Sequence, residues 1–279
     1  MKKISLLAIF ATMFALNVSA TDLFTGSHAV TWDTPLNLEA AKFSEAKAGD
    51  KIVVSNTDAA DGIEFKVLDV WSHLAGSREA AWIGGNGTYE QFLTPNAVDS
   101  IKAHGLQIVG NHFTCTKVEL LDGKELKEGI SVWSGFFWAD DWKTLELYAE
   151  GYNYVDFSNI SALRIYSEAG RTNYVIKVLS SWDEGGLIAE KTNMTDGDGY
   201  AELALTDELR TKLSTAGHWM IQFDKQDGEA FNVTDVVLIP IQTAIINTKA
   251  DSKAVKLIEN GQIVILKDGV RYNVLGAKF

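Results

Sequence analysis

One cysteine stands in 279 residues, Cys115, so no internal disulfide framework can hold this chain together. In "NHFTCTKVEL" it reads as a small apolar residue facing a core rather than as a reactive thiol. Stability must then come from ordinary burial, and 46% hydrophobic content is ample for it. Positive charge is also short: 25 Lys and Arg against 37 Asp and Glu leave a formal balance of −12. An acidic surface argues against nucleic acid or anionic membrane as a partner and suits a neutral one. Beyond the first twenty residues no segment offers the roughly 18 apolar residues that spanning requires, so no membrane insertion is expected.

Catalytic signatures are missing as well. There is no G-x-S-x-G, H-E-x-x-H, P-loop or dinucleotide fingerprint. His28, His73, His104, His112 and His218 show no metal-ligand spacing and read as loop or strand-surface residues. A glycosidase needs two carboxylates about 5 to 10 Å apart, and no motif announces such a pair. The stretch "TDGDGY" (195–200) is like a calcium loop but lacks the downstream Glu at the required spacing. A hairpin turn is the better reading there.

What the chain does have begins at its N-terminus. "MKKISLLAIFATMFALNVSA" carries two lysines, an apolar run from Ile4 to Leu16 and a small-residue exit at Val18-Ser19-Ala20. That is the pattern of a secretory signal peptide over 1–20. The run is too short for a membrane anchor, and no cysteine at the exit offers a lipid anchor. A secreted or cell-surface product is expected.

The body then spells one phrase twice, "FKVLDVW" at 65–71 and "IKVLSSW" at 176–182. Other landmarks recur in the same order. "LFTG" (23–26) meets "VWSG" (132–135), and Trp32 meets Trp142. "NGTYEQFLT" (86–94) meets "DGYAELALT" (198–206), "HGLQIVG" (104–110) meets "AGHWMIQF" (216–223), and "TKVELL" (116–121) meets "TDVVLI" (234–239). A duplication over residues 21–122 and 128–240 follows, joined by the polar turn "DGKELKEG".

Each half reads as mainly β. "DKIVVS", "GIEFKVLDVW", "GLQIVG" and "FTCTKVELL" in the first half, and "ALRIYS", "NYVIKVLSSW", "HWMIQF" and "VTDVVLIPI" in the second, are short β-branched runs between turn residues. "TPNAVDSIKAHG" and "TDELRTKLSTAG" each begin with a Thr N-cap candidate and end in Gly, predicting one short helix per half. The fold class expected is all-β: two tandem β-sandwich domains of jelly-roll type, with a C-terminal hairpin over 254–279.

The order of a Gly turn, a Trp, "AKAGDKIVV", a strand ending in Trp, "FLT" and "GLQIVGNHFTCTKVEL" resembles the jelly-roll carbohydrate-binding-type modules of Bacteroidetes secreted or surface glycan-utilisation proteins. The resemblance covers the first repeat nearly end to end. The second departs from it, where "SNISALRIY" loses the Gly-Asp turn. The tail "AVKLIENGQIVILKDGVRYNVLGAKF" resembles a type IX secretion C-terminal sorting segment; its plain alternative is a hairpin packed on the body. These resemblances imply a non-catalytic binder of polysaccharide or oligosaccharide, attached to the cell surface or released. Modules of this type commonly hold a structural calcium, so that ion stays open.

Sugar rings present apolar C–H faces that aromatic rings can cover, and eight Trp exceed what two small cores need. Trp133 and Trp219 occupy strand positions and read as core residues. The ligand-binding candidates are Trp32, Trp71, Trp82, Trp138, Trp142 and Trp182. Trp71 and Trp182 fall at a sandwich rim, as a lid on the core or as a platform. Trp82 and Trp138 read as loop residues without a counterpart in the other repeat. Two other classes stay open: an adhesive surface protein that binds another protein, and a small glycan-active hydrolase.

Overall fold

The computed structural model describes residues 20–241 and 255–272, apart from 59, 79–80, 84–86, 141–142, 149–154, 169–171, 184, 195–198, 217, 226–229, 260–261 and 268–269. Eight strands build the first roll: β1 (Ala20–Val30), β2 (Leu36–Leu38), β3 (Lys51–Asn56), β4 (Ala60–Val67), β5 (Ala81–Ile83), β6 (Thr88–Phe92), β7 (Leu106–Asn111) and β8 (Phe113–Leu121). They form two four-stranded antiparallel sheets in the orders β1-β8-β3-β6 and β2-β7-β4-β5.

The second roll consists of β9 (Ile130–Ala139), β10 (Lys143–Tyr148), β11 (Ile160–Ser167), β12 (Thr172–Leu179), β13 (Leu187–Met194), β14 (Tyr200–Ala204), β15 (His218–Lys225) and β16 (Phe231–Pro240). Its sheets run β9-β16-β11-β14 and β10-β15-β12-β13. Counted from its own first strand, each roll reads 1-8-3-6 and 2-7-4-5, the two-sheet order of an eight-stranded jelly roll.

Alternation explains the cores, with its parity reset in β8 by a bulge between Cys115 and Lys117. In β8 the inward set is Phe113, Cys115, Val118 and Leu120, and β4 sends Ile63, Phe65 and Val67 to meet it. Burial pushes the Cys115 thiol up to about 11, as befits a core residue. The second core gathers Ile176, Val178, Ile221 and Phe223 around Trp133 and Trp219, both buried. Phe157 meets Trp219 edge to face at 6.0 Å. Burying each such large side chain contributes about 1.5 to 3 kcal/mol.

Both expected helices form. Helix α1 (Pro95–His104) starts where Thr94 Oγ1 accepts the Ala97 N–H at 3.2 Å, and it stops at Gly105, whose φ is +90°. A Cβ at Gly105 would lie 2.5 Å from the Leu38 carbonyl oxygen, so only glycine fits there. Helix α2 (Asp207–Ala216) is capped the same way, with Thr206 Oγ1 accepting from Leu209 N at 3.3 Å.

Three sequence expectations need correction. The strand expected through Trp71 ends at Val67, because the chain turns back there and Val67 N donates to the Ser72 carbonyl at 2.8 Å. Trp82 and Trp138, expected in loops, lie on β5 and β9. The tail is more than a hairpin: β17 (Val255–Glu259), β18 (Gln262–Lys267) and β19 (Val270–Tyr272) form a three-stranded antiparallel sheet. Two strands alone are marginal in water, which favours the third. Residues 241–279 form a compact unit of their own, and both rolls belong to the unit that ends at Pro240.

Candidate functional site

Four of the six candidate tryptophans are described with their side chains, and all four are exposed: Trp32 41%, Trp71 50%, Trp138 56% and Trp182 61%. The side chain of Trp82 and the whole of Trp142 lie outside the described residues.

Trp71 and Trp182 occupy matching corners, just past the fourth strand of each roll. At the first corner Val67 N donates to Ser72 O and Leu74 N donates to Phe65 O, both at 2.8 Å, which folds the chain back along β4. That tight reversal puts Asp69 at φ +66° and Trp71 at φ +57°. A bulky residue in the left-handed region is an outlier held by its surroundings, and such strain gathers at functional sites. At the second corner Ser180 N donates to Gly186 O at 2.7 Å, and Gly186 N to Asp183 O at 2.9 Å, which closes a loop that carries the exposed Trp182.

Beside each corner the outer sheet face carries a row of polar side chains. Register aligns Asn37, Gln107 and Lys66 across β2, β7 and β4. It aligns Thr144, Gln222 and Lys177 across β10, β15 and β12. In the first row Gln107 Nε2 donates to Asn37 Oδ1 at 2.9 Å. Lys66 Nζ lies 2.6 Å, and His73 Nε2 3.0 Å, from Glu64 Oε2. Burial pushes the Glu64 carboxyl up, but hydrogen bonds from His73 and Lys66 outweigh it and hold the group below its usual 4.5. In the second row Lys177 pairs with Asp224 at 2.9 Å. Gln107, Lys66 and Gln222 are buried, whereas Asn37 is exposed and Thr144 and Lys177 are half-buried.

Sequence reasoning missed these rows, although the repeated "FKVL" and "IKVL" held the signal. Strand alternation turns a lysine between two inward residues to the outer face.

The remaining tryptophans sit elsewhere. Trp32 follows Val30, which pairs with Phe113 at the start of β8, whereas the Trp71 corner follows Val67, paired with Leu106 at the start of β7. Strand β7 separates the two ends, roughly 17 Å or more. Trp138 stands opposite Asn232 near the start of β16, and Trp182 lies past Leu179, opposite Met220 near the start of β15. The four described candidates therefore do not converge on one site. Phe136, also exposed, lies two residues before Trp138 on β9.

A cavity of about 350 Å³ opens along α1 beside Asn96, Asp99, Ser100, Ala103 and His104, and none of the four described tryptophans lines it. Among the described residues no cluster of three or more His, Cys, Asp or Glu could hold a metal ion, and the "TDGDGY" stretch falls largely outside them. No described helix is long and apolar enough to cross a membrane.

The fold is thus an all-β sandwich with exposed tryptophans at matching corners. Neither a family model nor a curated protein matches the chain. Among solved structures it is similar to the Bacteroides ovatus mixed-linkage glucan utilization locus protein SGBP-B, solved with a mixed-linkage heptasaccharide. That match has a TM-score of 0.30 and 22% identity, over 36% of this chain and 28% of that one. A Parabacteroides distasonis ATCC 8503 protein described as secreted is similar over 80% of this chain and 86% of its own, at a TM-score of 0.23 and 9% identity. Similarity this low carries no argument for function.

Proposed function

We propose that the chain binds polysaccharide or oligosaccharide without catalysis, through exposed tryptophan platforms. The observation that supports this best is the pair Trp71 and Trp182, exposed at matching corners and each next to a polar row. An indole covers the C–H face of a pyranose ring, and neighbouring amide, hydroxyl and ammonium groups take up its hydroxyls. The same reading includes Trp32, Trp82, Trp138 and Trp142 as further platforms. It treats residues 21–122 and 128–240 as a duplicated module whose two sites raise avidity for a polymer. It also takes 1–20 as an export signal and 254–279 as a sorting segment, giving a secreted or surface-attached protein.

A titration series against plant, microbial and host glycans tests the reading. On a glycan that binds the wild type, Trp71→Ala and Trp182→Ala should each cost about 1 to 3 kcal/mol, by analogy with burial of one large side chain. Unchanged affinity in both, with the fold intact, would remove the corners from the site. A protein partner is the second reading, favoured by the exposed Trp138 on β9, the last strand of its sheet. It takes over if no glycan binds and Trp138→Ala abolishes capture of a surface protein.

A further inference from the structure

In sequence the connector "DGKELKEG" is a polar tether, but in the structure it is fastened on both sides. Towards the first roll, Lys124 N donates to the Gly49 carbonyl at 2.9 Å. The approach is so close that a Cβ at Gly49, whose φ is +94°, would lie 2.2 Å from the Lys124 carbonyl oxygen. Towards the second roll, Lys124 Nζ donates to the Thr234 carbonyl at 3.0 Å and lies 3.2 Å from the Asp235 carboxylate. Asp235 is buried, and its Oδ1 also accepts from Ser134 Oγ at 2.8 Å.

The same ammonium stands 5.2 Å from the Phe92 ring of the first roll and 5.8 Å from the Phe136 ring of the second. Those rings meet edge to face at 6.2 Å. Two more cations make similar contacts: Lys127 lies 5.3 Å from the Tyr166 ring, and Arg78 of the first roll 5.2 Å from Phe137 of the second. Between the rolls a cavity of about 10 Å³ is lined by Gly76 and Thr94 on one side and Ser131 and Trp219 on the other. That is room for about one water molecule.

We propose that Lys124 is a clasp whose ammonium, seated on Asp235 between Phe92 and Phe136, locks the two rolls into one fixed arrangement. An exposed ion pair would contribute little, because solvent screens it. Here the carboxylate is buried, so releasing the lysine strands an uncompensated charge, and opening the joint also separates two aromatic rings. Any contacts the rolls make with a ligand are then presented at a set spacing. The clasp itself stands whether or not that ligand is a glycan.

Tryptic cleavage after the exposed Lys127 reads the joint directly, since cleavage of a transiently opened segment follows its open population. Lys124→Met keeps the side-chain stem and removes the charge. Asp235→Asn keeps a partner for Ser134 and weakens the hold on Lys124. Both should speed cleavage by about tenfold or more and lengthen the particle in small-angle scattering. Lys117→Met, which breaks ion pairs with Asp22 and Glu119 inside the first roll, should match the wild type. Wild-type rates and dimensions in both joint variants would overturn the clasp. So would a wild-type connector cut as fast as a free peptide. Should Asp235→Asn fail to fold, Lys124→Met decides alone, because its substitution lies outside both cores.

Discussion

Trp71 holds its backbone at φ +57°, where an L-residue sets its Cβ against the following carbonyl. Glycine has no such conflict, so the usual order of substitutions should reverse at this corner. Trp71→Gly should be more stable than Trp71→Ala by about 1 kcal/mol in urea unfolding. The opposite order would mean that the turn relaxes once the indole is gone. Glu64 supplies a second test at this scale. Its folded pKa lies below the unfolded 4.5, because His73 and Lys66 donate to it. The stability it contributes is therefore complete above about pH 4.5 and is lost as pH falls through the lower folded value. Glu64→Gln should lower the thermal midpoint at neutral pH and flatten its fall on acidification. An unchanged acid limb would show that other carboxylates govern it.

Elements succeed or fail at their ends. Helix α1 depends on Thr94, Pro95 and Gly105, each legible in "TPNAVDSIKAHG" because capping is local chemistry. Thr94→Ala should cost about 1 kcal/mol in denaturant unfolding, and Thr94→Ser should recover most of it. A neutral Thr94→Ala would mean that the Ala97 N–H finds another acceptor. The ends of strands were less legible. Residues 68–71 continue the apolar rhythm of "FKVLDVW", yet the strand stops at Val67, because a backbone bond from Val67 to Ser72 fixes the reversal. Short strands such as β2 and β5 carry too few residues for any period to show, and the structure builds them by pairing alone.

At the scale of the molecule, the strand order 1-8-3-6 and 2-7-4-5 occurs twice within the compact unit that ends at Pro240. A chain stopped after Pro240 should keep the thermal midpoint of the rolls, because the β17-β18-β19 sheet belongs to a different compact unit. A large drop in calorimetry would show that the tail supports the rolls. The polymer avidity expected of two sites depends on their spacing, which makes the connector as relevant as the tryptophans themselves.

The sequence by itself determined the all-β class, the two capped helices, and the burial of Trp133, Trp219 and Cys115. Those outcomes follow from alternation, capping and hydrophobicity, which act within a few residues. It also named tryptophan as the residue to watch. Only the tertiary structure decided that Trp32 and Trp71 lie at opposite ends of one roll, that Lys66 and Lys177 extend polar rows beside the corners, and that Lys124 reaches Asp235. Each joins residues far apart in the chain, and strand register and the docking of one roll on the other settle such relations through contacts that no local pattern encodes.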